Sequence, residues 1–192
     1  AEKYDKEIKC LVRTSSNLEH LQRFDLKLKF IEVDFNDVNQ LKNSMKGSKT
    51  VLHIAHIKLS PNVIKAGAEV GIDWFIFVHT TGRYSKFKSA SAEYIEIEDK
   101  LIDEYSNLTI LRPTLIYGSS SDGNFWRLIK FINDYRFFPV FGSGNNLMQP
   151  VNAEDLGTAY LEVLKNKTSS YGKQYNLSGR DEISYLSILR EI

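Results

Sequence analysis

The sequence predicts an α/β fold, a doubly wound parallel sheet followed by a small C-terminal α+β lobe. Two observations indicate this fold. Up to Pro113, short apolar runs rich in β-branched residues alternate with segments of helical periodicity. These apolar runs are nearly continuous, which is typical of parallel strands buried on both faces of a sheet. After Pro113 the alternation stops, and shorter strand and helix patterns follow.

Five segments have the pattern of buried strands, and a helical segment follows each of the first four. They are EIKCLV (7–12), LKFIEVD (28–34), TVLHIA (50–55), IDWFIFV (72–78) and LTILRP (108–113). Gly47 and Gly71 end two of the intervening helices, and Pro61 lies in the first turn of one of them. Because crossovers of this type are right-handed, ligands are expected beyond the carboxyl ends of the strands.

The segment after Pro113 predicts a smaller lobe. It contains an aromatic helix, NFWRLIKFINDY, and then RFFPVFGSGNNLMQPV, which is interpreted as two short strands around a turn rich in Gly and Asn. Asn152 has the character of an N-cap, with Asp155 at the capping-box position. We therefore predict two domains, residues 1–118 and 119–192, the second interleaved with the sheet of the first.

Composition narrows the class of protein. The chain has 192 residues and a formal net charge of +1, which gives no reason to expect a nucleic acid or a membrane as partner. Cys10 is the only cysteine, so an intramolecular disulfide and a cysteine-rich metal site are excluded. No apolar run approaches the roughly 20 residues of a membrane span. These features predict a cytoplasmic protein with no metal site.

The ends of the first two strands carry side chains suited to a nucleotide. Arg13, followed by hydroxyl residues at a helix start, can hold a phosphate, or it can be a solvated arginine beside an ordinary N-cap. Asp34 and Phe35 can contact an adenine ring, while aspartate at this point is equally a turn former.

The third and fourth strands end in further candidates. His53 is expected in the core, and Ile54, Ala55 and His56 form a strand exit with room for a flat cofactor. In the stretch FVHTTGRY (77–84), a threonine hydroxyl facing the lysine at position 100 would make a proton-handling pair. The same lysine is also spaced for a surface ion pair with Glu96 at i, i+4.

Several segments together resemble the NAD(P)-binding short-chain dehydrogenase/reductase superfamily. They are FIFVHTTGRY, DKLIDE, LTILRPTLIYG, PVFGSGNNLMQPVNAEDLGTAYLEVL and KQYNLSGRDEISYLSILREI. Within this superfamily, the chain is more similar to the extended and atypical branch. That branch holds the nucleotide-sugar epimerases and dehydratases and the NmrA-like reductases and sensors. It covers nearly the whole chain. It implies a Rossmann-type fold in which residues 1–118 bind NAD(P) and residues 119–192 form a substrate-binding lobe.

Carried over to this chain, the resemblance implies a changed catalytic centre. Thr80 falls at the position of the catalytic serine or threonine, with Tyr84 in the same turn. Lys100 falls at the family's lysine, which binds the nicotinamide ribose and lowers the pKa of a tyrosine four residues earlier. That earlier position holds Glu96, and Tyr94 lies about 200° away around a helix. A carboxylate that is ionised at neutral pH is a poor acid, so altered or lost catalysis is implied.

The resemblance also implies a set of cofactor contacts, namely Arg13, Asp34, Phe35, Ile54, Ala55, His56, Lys100, Pro113 and Leu115. Arg13 favours NADP over NAD, because NAD-preferring members place an acidic residue near there. The family's glycine-rich pyrophosphate loop has no counterpart, since Gly142-Ser143-Gly144 falls in a hairpin pattern. We therefore expect the chain to begin after that loop, with both ends cut.

Two functions stay open on this basis. The first is an NAD(P)-dependent oxidoreductase or epimerase/dehydratase, a possible homodimer, acting on a small molecule such as a nucleotide sugar. In it Thr80 would bond the reacting oxygen, and Glu96, Tyr84 or a water would handle the proton. The second is a non-catalytic NAD(P)-binding redox sensor or scaffold. The aromatic cluster of the smaller lobe, Phe125, Trp126, Phe131, Phe137 and Phe138, is read either as core or as the lining of a substrate pocket.

Overall fold

A computed structural model describes residues 7–22, 26–86, 91–118 and 125–192. The strands are β1 (Ile8–Val12), β2 (Leu28–Glu32), β3 (Thr50–His53), β4 (Trp74–Val78), β5 (Leu108–Pro113), β6 (Ile116–Tyr117), β7 (Leu147–Met148), β8 (Val151–Asn152), β9 (Gln174–Leu177) and β10 (Ile183–Ser184). The helices are α1 (Glu19–Gln22), α2 (Val38–Met45), α3 (Ser60–Glu69), α4 (Ala92–Glu104), α5 (Phe125–Tyr135), α6 (Ala153–Lys165), α7 (Lys167–Ser170) and α8 (Tyr185–Glu191). Within these ranges no helix is long and apolar enough to cross a membrane.

The parallel sheet confirms the predicted α/β class. Strands β3, β4, β5 and β9 are hydrogen-bonded in that order, and all three pairings are parallel. Strands β1 and β2 form a separate parallel pair, with Ile8 opposite Leu28. No strand of the described ranges bridges β1 and β3, so the sheet is divided. Because β9 comes from the second half of the chain, the four-stranded sheet contains residues from both halves.

Helices cover both faces of the sheet, which explains the nearly continuous apolar strands. On one face, a core cluster joins Leu41 of α2 and Ile64 of α3 to Phe75 and Phe77 of β4. On the other face, Trp74, Ile76, Val78 and Leu111 pack against side chains of α6, namely Tyr160, Val163 and Leu164. Neighbouring β4 side chains therefore enter opposite clusters, as the alternation of side chains along a strand requires.

The hairpin expected within residues 136–151 is wrong. Strand β7 pairs antiparallel with β10, β8 pairs in parallel with β6, and residues 136–141 form no strand. The physical reason is the approach of α8. Tyr185 and Leu186 donate backbone hydrogen bonds to the carbonyls of Asn146 and Gly144 and so occupy the edge that a hairpin partner would need. The N-cap prediction is confirmed, since the side chain of Asn152 accepts from the N–H of Glu154 at 2.8 Å.

Candidate functional site

A cavity of about 560 Å³ lies at the carboxyl ends of β1 and β2. Arg13, Asp34 and Phe35 all line it, so the structure brings together three residues that the sequence predicted for a nucleotide. The Asp34 carboxylate also accepts from the N–H of Asn36 at 2.8 Å. It is therefore a turn former as well as a cavity residue, and the two interpretations of Asp34 are compatible.

Sequence reasoning missed an acidic residue of this cavity. Glu32, the last residue of β2, lines the cavity together with Arg13, and its carboxylate accepts from the Thr14 hydroxyl. The cavity therefore presents both a cation and an anion. The sequence signal was available, because alternation along the predicted strand 28–34 places Glu32 on the same side as Asp34.

A second cavity, of about 320 Å³, lies at the carboxyl ends of β4 and β5. Its lining includes Thr80, Thr81, Pro113 and Leu115, which joins the predicted catalytic hydroxyl to the predicted nicotinamide-side residues. The Thr80 hydroxyl accepts from the N–H of Gly82 at 3.0 Å, and the Thr81 hydroxyl donates to the carbonyl of Pro113 at 3.3 Å. The Thr80 proton thus stays available for a ligand, while the Thr81 proton is used within the protein.

Other predicted residues lie outside the linings of both cavities. Ile54, Ala55 and His56 are exposed after the end of β3. His56 Nδ1 accepts from the N–H of Lys58 at 3.3 Å, so in the neutral ring Nε2 carries the proton and donates to the hydroxyl of Tyr94, also at 3.3 Å. Tyr84 is exposed and lies beside Arg112, whose Nη1 is 3.4 Å from the tyrosine hydroxyl.

Lys100 and Glu96 lie on the exposed side of α4. The side chain of Lys100 is 71% exposed, and its Nζ is 3.9 Å from a carboxylate oxygen of Glu104. The ion pair expected with Glu96 is therefore corrected to one with Glu104. The roles predicted for Lys100 and Glu96 at the cofactor gain no support from this placement, because Lys100 is absent from the linings of both cavities.

Glu98 is the charged residue of α4 that faces the sheet, and it anchors a buried ion-pair network. Its Oε1 accepts from Nε and Nη2 of Arg112 at 2.9 and 2.7 Å, and also from Nη1 of Arg83. Its Oε2 is 2.7 Å from Nδ1 of His79. Arg83 reaches further, to Asp99 at 2.8 Å. Glu98, His79 and Arg112 are all buried, so the centre of the network is shielded from solvent, whereas Asp99 is exposed.

His79 is neutral within this network. Burial and the charges of Arg112 and Arg83 lower the pKa of His79 to about 4. Since the Glu98 carboxylate can only accept, Nδ1 of His79 carries the proton, and Nε2 accepts from the Ser60 hydroxyl at 3.2 Å. Every polar atom of the imidazole therefore has a partner.

Ser60, His79 and Glu98 have the order of contacts of a catalytic triad, but they cannot act as one. Ser60 is 0% exposed, so no substrate reaches its hydroxyl. A triad also needs a carboxylate that can stabilise an imidazolium, and here two arginines already neutralise that carboxylate. The arrangement positions α3, β4 and α4 relative to one another.

The helical phase of α4 offers a second match to the family pattern of a tyrosine followed four residues later by a lysine. Tyr94 and Glu98 have that spacing, two residues before the pair Glu96 and Lys100. In this register the tyrosine is present and the lysine is replaced by the buried Glu98. The sequence carried a signal for this second register, since Tyr94, Glu98 and Leu101 lie on one helical face.

The two cavities carry side chains of the kinds that contact a dinucleotide. The larger cavity offers a cation, a carboxylate and an aromatic ring, and the smaller cavity offers a threonine hydroxyl beside Pro113. Both cavities lie at the carboxyl ends of parallel strands, where open α/β sheets bind ligands.

Comparison with solved structures confirms the fold expected from the sequence. A dTDP-glucose 4,6-dehydratase of Streptomyces venezuelae, solved with NAD, matches with a TM-score of 0.78 at 15% identity, over 96% of this chain and 70% of that chain. A UDP-glucuronic acid 4-epimerase of Bacillus cereus, in complex with NAD, matches with a TM-score of 0.76 at 20% identity, over 90% and 66% of the two chains. A short-chain dehydrogenase/reductase of Veillonella parvula, in complex with NADP, matches with a TM-score of 0.59 at 15% identity, over 90% and 82%.

A curated protein is similar in sequence over part of the chain. It is the mitochondrial NADH dehydrogenase [ubiquinone] 1 alpha subcomplex subunit 9 of Arabidopsis thaliana, 34% identical over 85 residues. The match covers 44% of this chain but only 21% of the plant protein. No protein-family model matches the sequence.

Proposed function

We propose that this chain is an extended short-chain reductase relative that binds a nicotinamide dinucleotide without carrying out the superfamily's usual hydride transfer. The fold and the similarity to an NADH dehydrogenase subunit support dinucleotide binding as the retained property. Arg13, Asp34 and Phe35 would hold the adenosine end, and Thr80, Pro113 and Leu115 the nicotinamide end. NADP is the favoured form because of the Arg13 guanidinium, although the Glu32 carboxylate in the same cavity opposes a phosphate. A bound nicotinamide would supply hydride-transfer chemistry.

The placement of Glu98 carries the proposal. In the register of Tyr94, the position of the ribose-binding lysine holds a carboxylate buried among His79, Arg83 and Arg112. A carboxylate cannot lower the pKa of a tyrosine as a lysine cation does. The only lysine of α4, Lys100, points to solvent. Neither register therefore supplies a cation for the tyrosine.

A role as a subunit or scaffold follows from the same reasoning. The plant relative is a subunit of a larger enzyme, and this chain's buried ion pairs favour a fixed domain over a reactive centre. That relative is mitochondrial, so we propose a mitochondrial location in place of the cytoplasmic one expected from composition.

Calorimetric titration of the full chain with NADPH and NADH tests the proposal, together with turnover assays on carbonyl compounds and nucleotide sugars. We expect binding without turnover. Lys100→Ala should change the dissociation constant by less than about twofold, because an exposed charge contributes little. Failure of both dinucleotides to bind would refute dinucleotide binding. Turnover that is lost in Lys100→Ala would instead support the catalytic role of Lys100 that was predicted from sequence.

The contact between Tyr94 and His56 favours a second candidate, catalysis on a small molecule such as a nucleotide sugar. The His56 N–H donates to the phenol oxygen at 3.3 Å, which leaves the phenol proton free for transfer. Tyr94→Phe would then abolish turnover, and Lys100→Ala would not. Under the first proposal, neither variant has activity to lose.

A further inference from the structure

Among the described residues, nothing covers the apolar surface beside helix α5. None of its eleven residues is buried. Tyr135 and Phe137 are 62% and 61% exposed, and Phe141, next to the turn at Gly142, is 89% exposed. The interpretation of this aromatic cluster as core is therefore wrong. We call Phe131, Tyr135, Phe137, Phe138 and Phe141 the aromatic face.

Four rings of the aromatic face form one contiguous cluster. The ring of Phe131 lies 4.7 Å from that of Tyr135, 5.5 Å from Phe138 and 6.3 Å from Phe137, measured between centroids. Such edge and tilted contacts hold the rings in place, so the cluster is formed before any partner arrives. A contiguous exposed apolar cluster of this kind marks an interaction surface.

Cations accompany the aromatic face. Arg127 precedes Phe131 by four residues and therefore lies on the same side of α5. Lys130 and Arg136 are also exposed, and Asp134 is the single carboxylate between residues 125 and 148. Aromatic rings with interspersed Lys and Arg on an amphipathic helix are typical of helices that lie in the interface of a membrane.

Arg136 occupies a backbone position that normally takes glycine. Its φ is 60°, and among the described residues it is the sole non-glycine with positive φ. It ends α5, with its N–H bonded to the carbonyl of Ile132 at 2.8 Å. A side chain in this conformation costs about 1 kcal/mol relative to glycine. The Arg136 side chain adds an exposed cation directly after α5 at this surface.

We propose that the aromatic face and its cations bind the surface of an anionic lipid bilayer. The net charge of the whole chain gave no hint of this, because the cations are local to residues 127–136. A second copy of the chain fits less well, since a symmetric contact would set these cations against each other. An anionic bilayer accepts the rings among its headgroups and neutralises the cations at the same time. The proposal is independent of dinucleotide binding.

Co-sedimentation of the full chain with vesicles tests it, using phosphatidylcholine alone or mixed with phosphatidylserine. We expect binding to the mixed vesicles only, weakened by salt. Arg127→Gln combined with Lys130→Gln should lower the partition coefficient about 30-fold, at about 1 kcal/mol for each charge near the surface. Phe137→Ser combined with Phe141→Ser should lower it at least about tenfold. Arg136→Gly should lower it without loss of thermal stability.

Matched controls use exposed residues elsewhere in the fold. Leu161→Ser on α6 removes an exposed apolar side chain, and Lys29→Gln with Lys173→Gln removes two exposed charges. These controls should bind vesicles as the parent does. Equal binding to both kinds of vesicle, equal loss in the controls, or no binding at all would each overturn the proposal. The proposal would also be overturned if the chain self-associated in sedimentation, if Phe141→Ser abolished that self-association, and if the chain did not bind vesicles.

Discussion

Nδ1 of His79, at the end of β4, lies 2.7 Å from Oε2 of Glu98 on α4, and both side chains are buried. This contact fixes the helical phase of α4 against the sheet. It turns Glu98 toward Arg112 on β5 and turns Lys100 toward solvent. The stability of the domain and the character of its candidate site therefore depend on the same group of side chains.

Removing Arg112 should destabilise the fold severely. Arg112→Met leaves the buried Glu98 without two of its charge-assisted hydrogen bonds, and we expect a loss of about 3–5 kcal/mol in the free energy of unfolding. Urea denaturation measures it. The double variant with Glu98→Gln should be more stable than Arg112→Met alone, because it leaves no ionised carboxyl group. Lys42→Met, which breaks the exposed pair with Glu69, should cost less than about 1 kcal/mol. Equal losses in the two single variants would contradict this account.

Stability should fall as the solution is acidified below neutrality. Burial and the nearby His79 lower the pKa of His53 to about 4, and burial and the two arginines lower that of His79 likewise. Between about pH 6.5 and about pH 4 the unfolded chain binds protons at these rings and the folded chain does not. The stabilisation is thus complete above about pH 6.5 and is lost as the pH falls toward 4.

Urea unfolding at a series of pH values checks this prediction. The slope between pH 6.5 and 4.5 should be smaller in His53→Leu than in the parent protein, because one titrating ring has been removed. If the pH slope of unfolding in His53→Leu equalled that of the parent protein, the His53 ring would not titrate as proposed.

Two helical glycines should respond oppositely to alanine. A Cβ at Gly67 of α3 would lie 2.5 Å from Cε1 of Phe75, in the core, so Gly67→Ala should destabilise the fold by about 1–3 kcal/mol. A Cβ at Gly157 of α6 meets no atom within 4 Å, so Gly157→Ala should stabilise it by up to about 1 kcal/mol. Thermal unfolding distinguishes the two variants. A gain in stability at both positions would mean that the Phe75 ring can move aside.

Arg13 should discriminate between the two dinucleotides. If its guanidinium holds a ribose phosphate, Arg13→Gln should weaken NADPH binding about tenfold and leave NADH binding unchanged. Calorimetry with each dinucleotide measures the difference, with Arg180→Gln as an exposed control. An equal loss of affinity for NADPH and for NADH would mean that Arg13 contacts a group that the two dinucleotides share. The neighbouring Glu32 adds a comparison, since Glu32→Gln should favour NADPH.

The sequence alone determined the layers of the fold and the strand ends at which ligands are expected. Residues 74–78 are all apolar, as are four of the six residues of 108–113, and burial on both faces follows from this local composition. Arg13, Asp34, Thr80 and Pro113, which line the two cavities, were predictable at strand ends for the same reason, since each follows or ends such a strand.

Only the tertiary structure decided which side of α4 faces the sheet. The pattern of α4 admits registers two residues apart, and a two-residue shift turns a helix by about 200°. Contacts of Glu98 with His79 and Arg112, 19 and 14 residues away, select one of them. The strand partners of β7 and β8 were likewise set by distant segments, β10 and β6, whose approach no local pattern encodes.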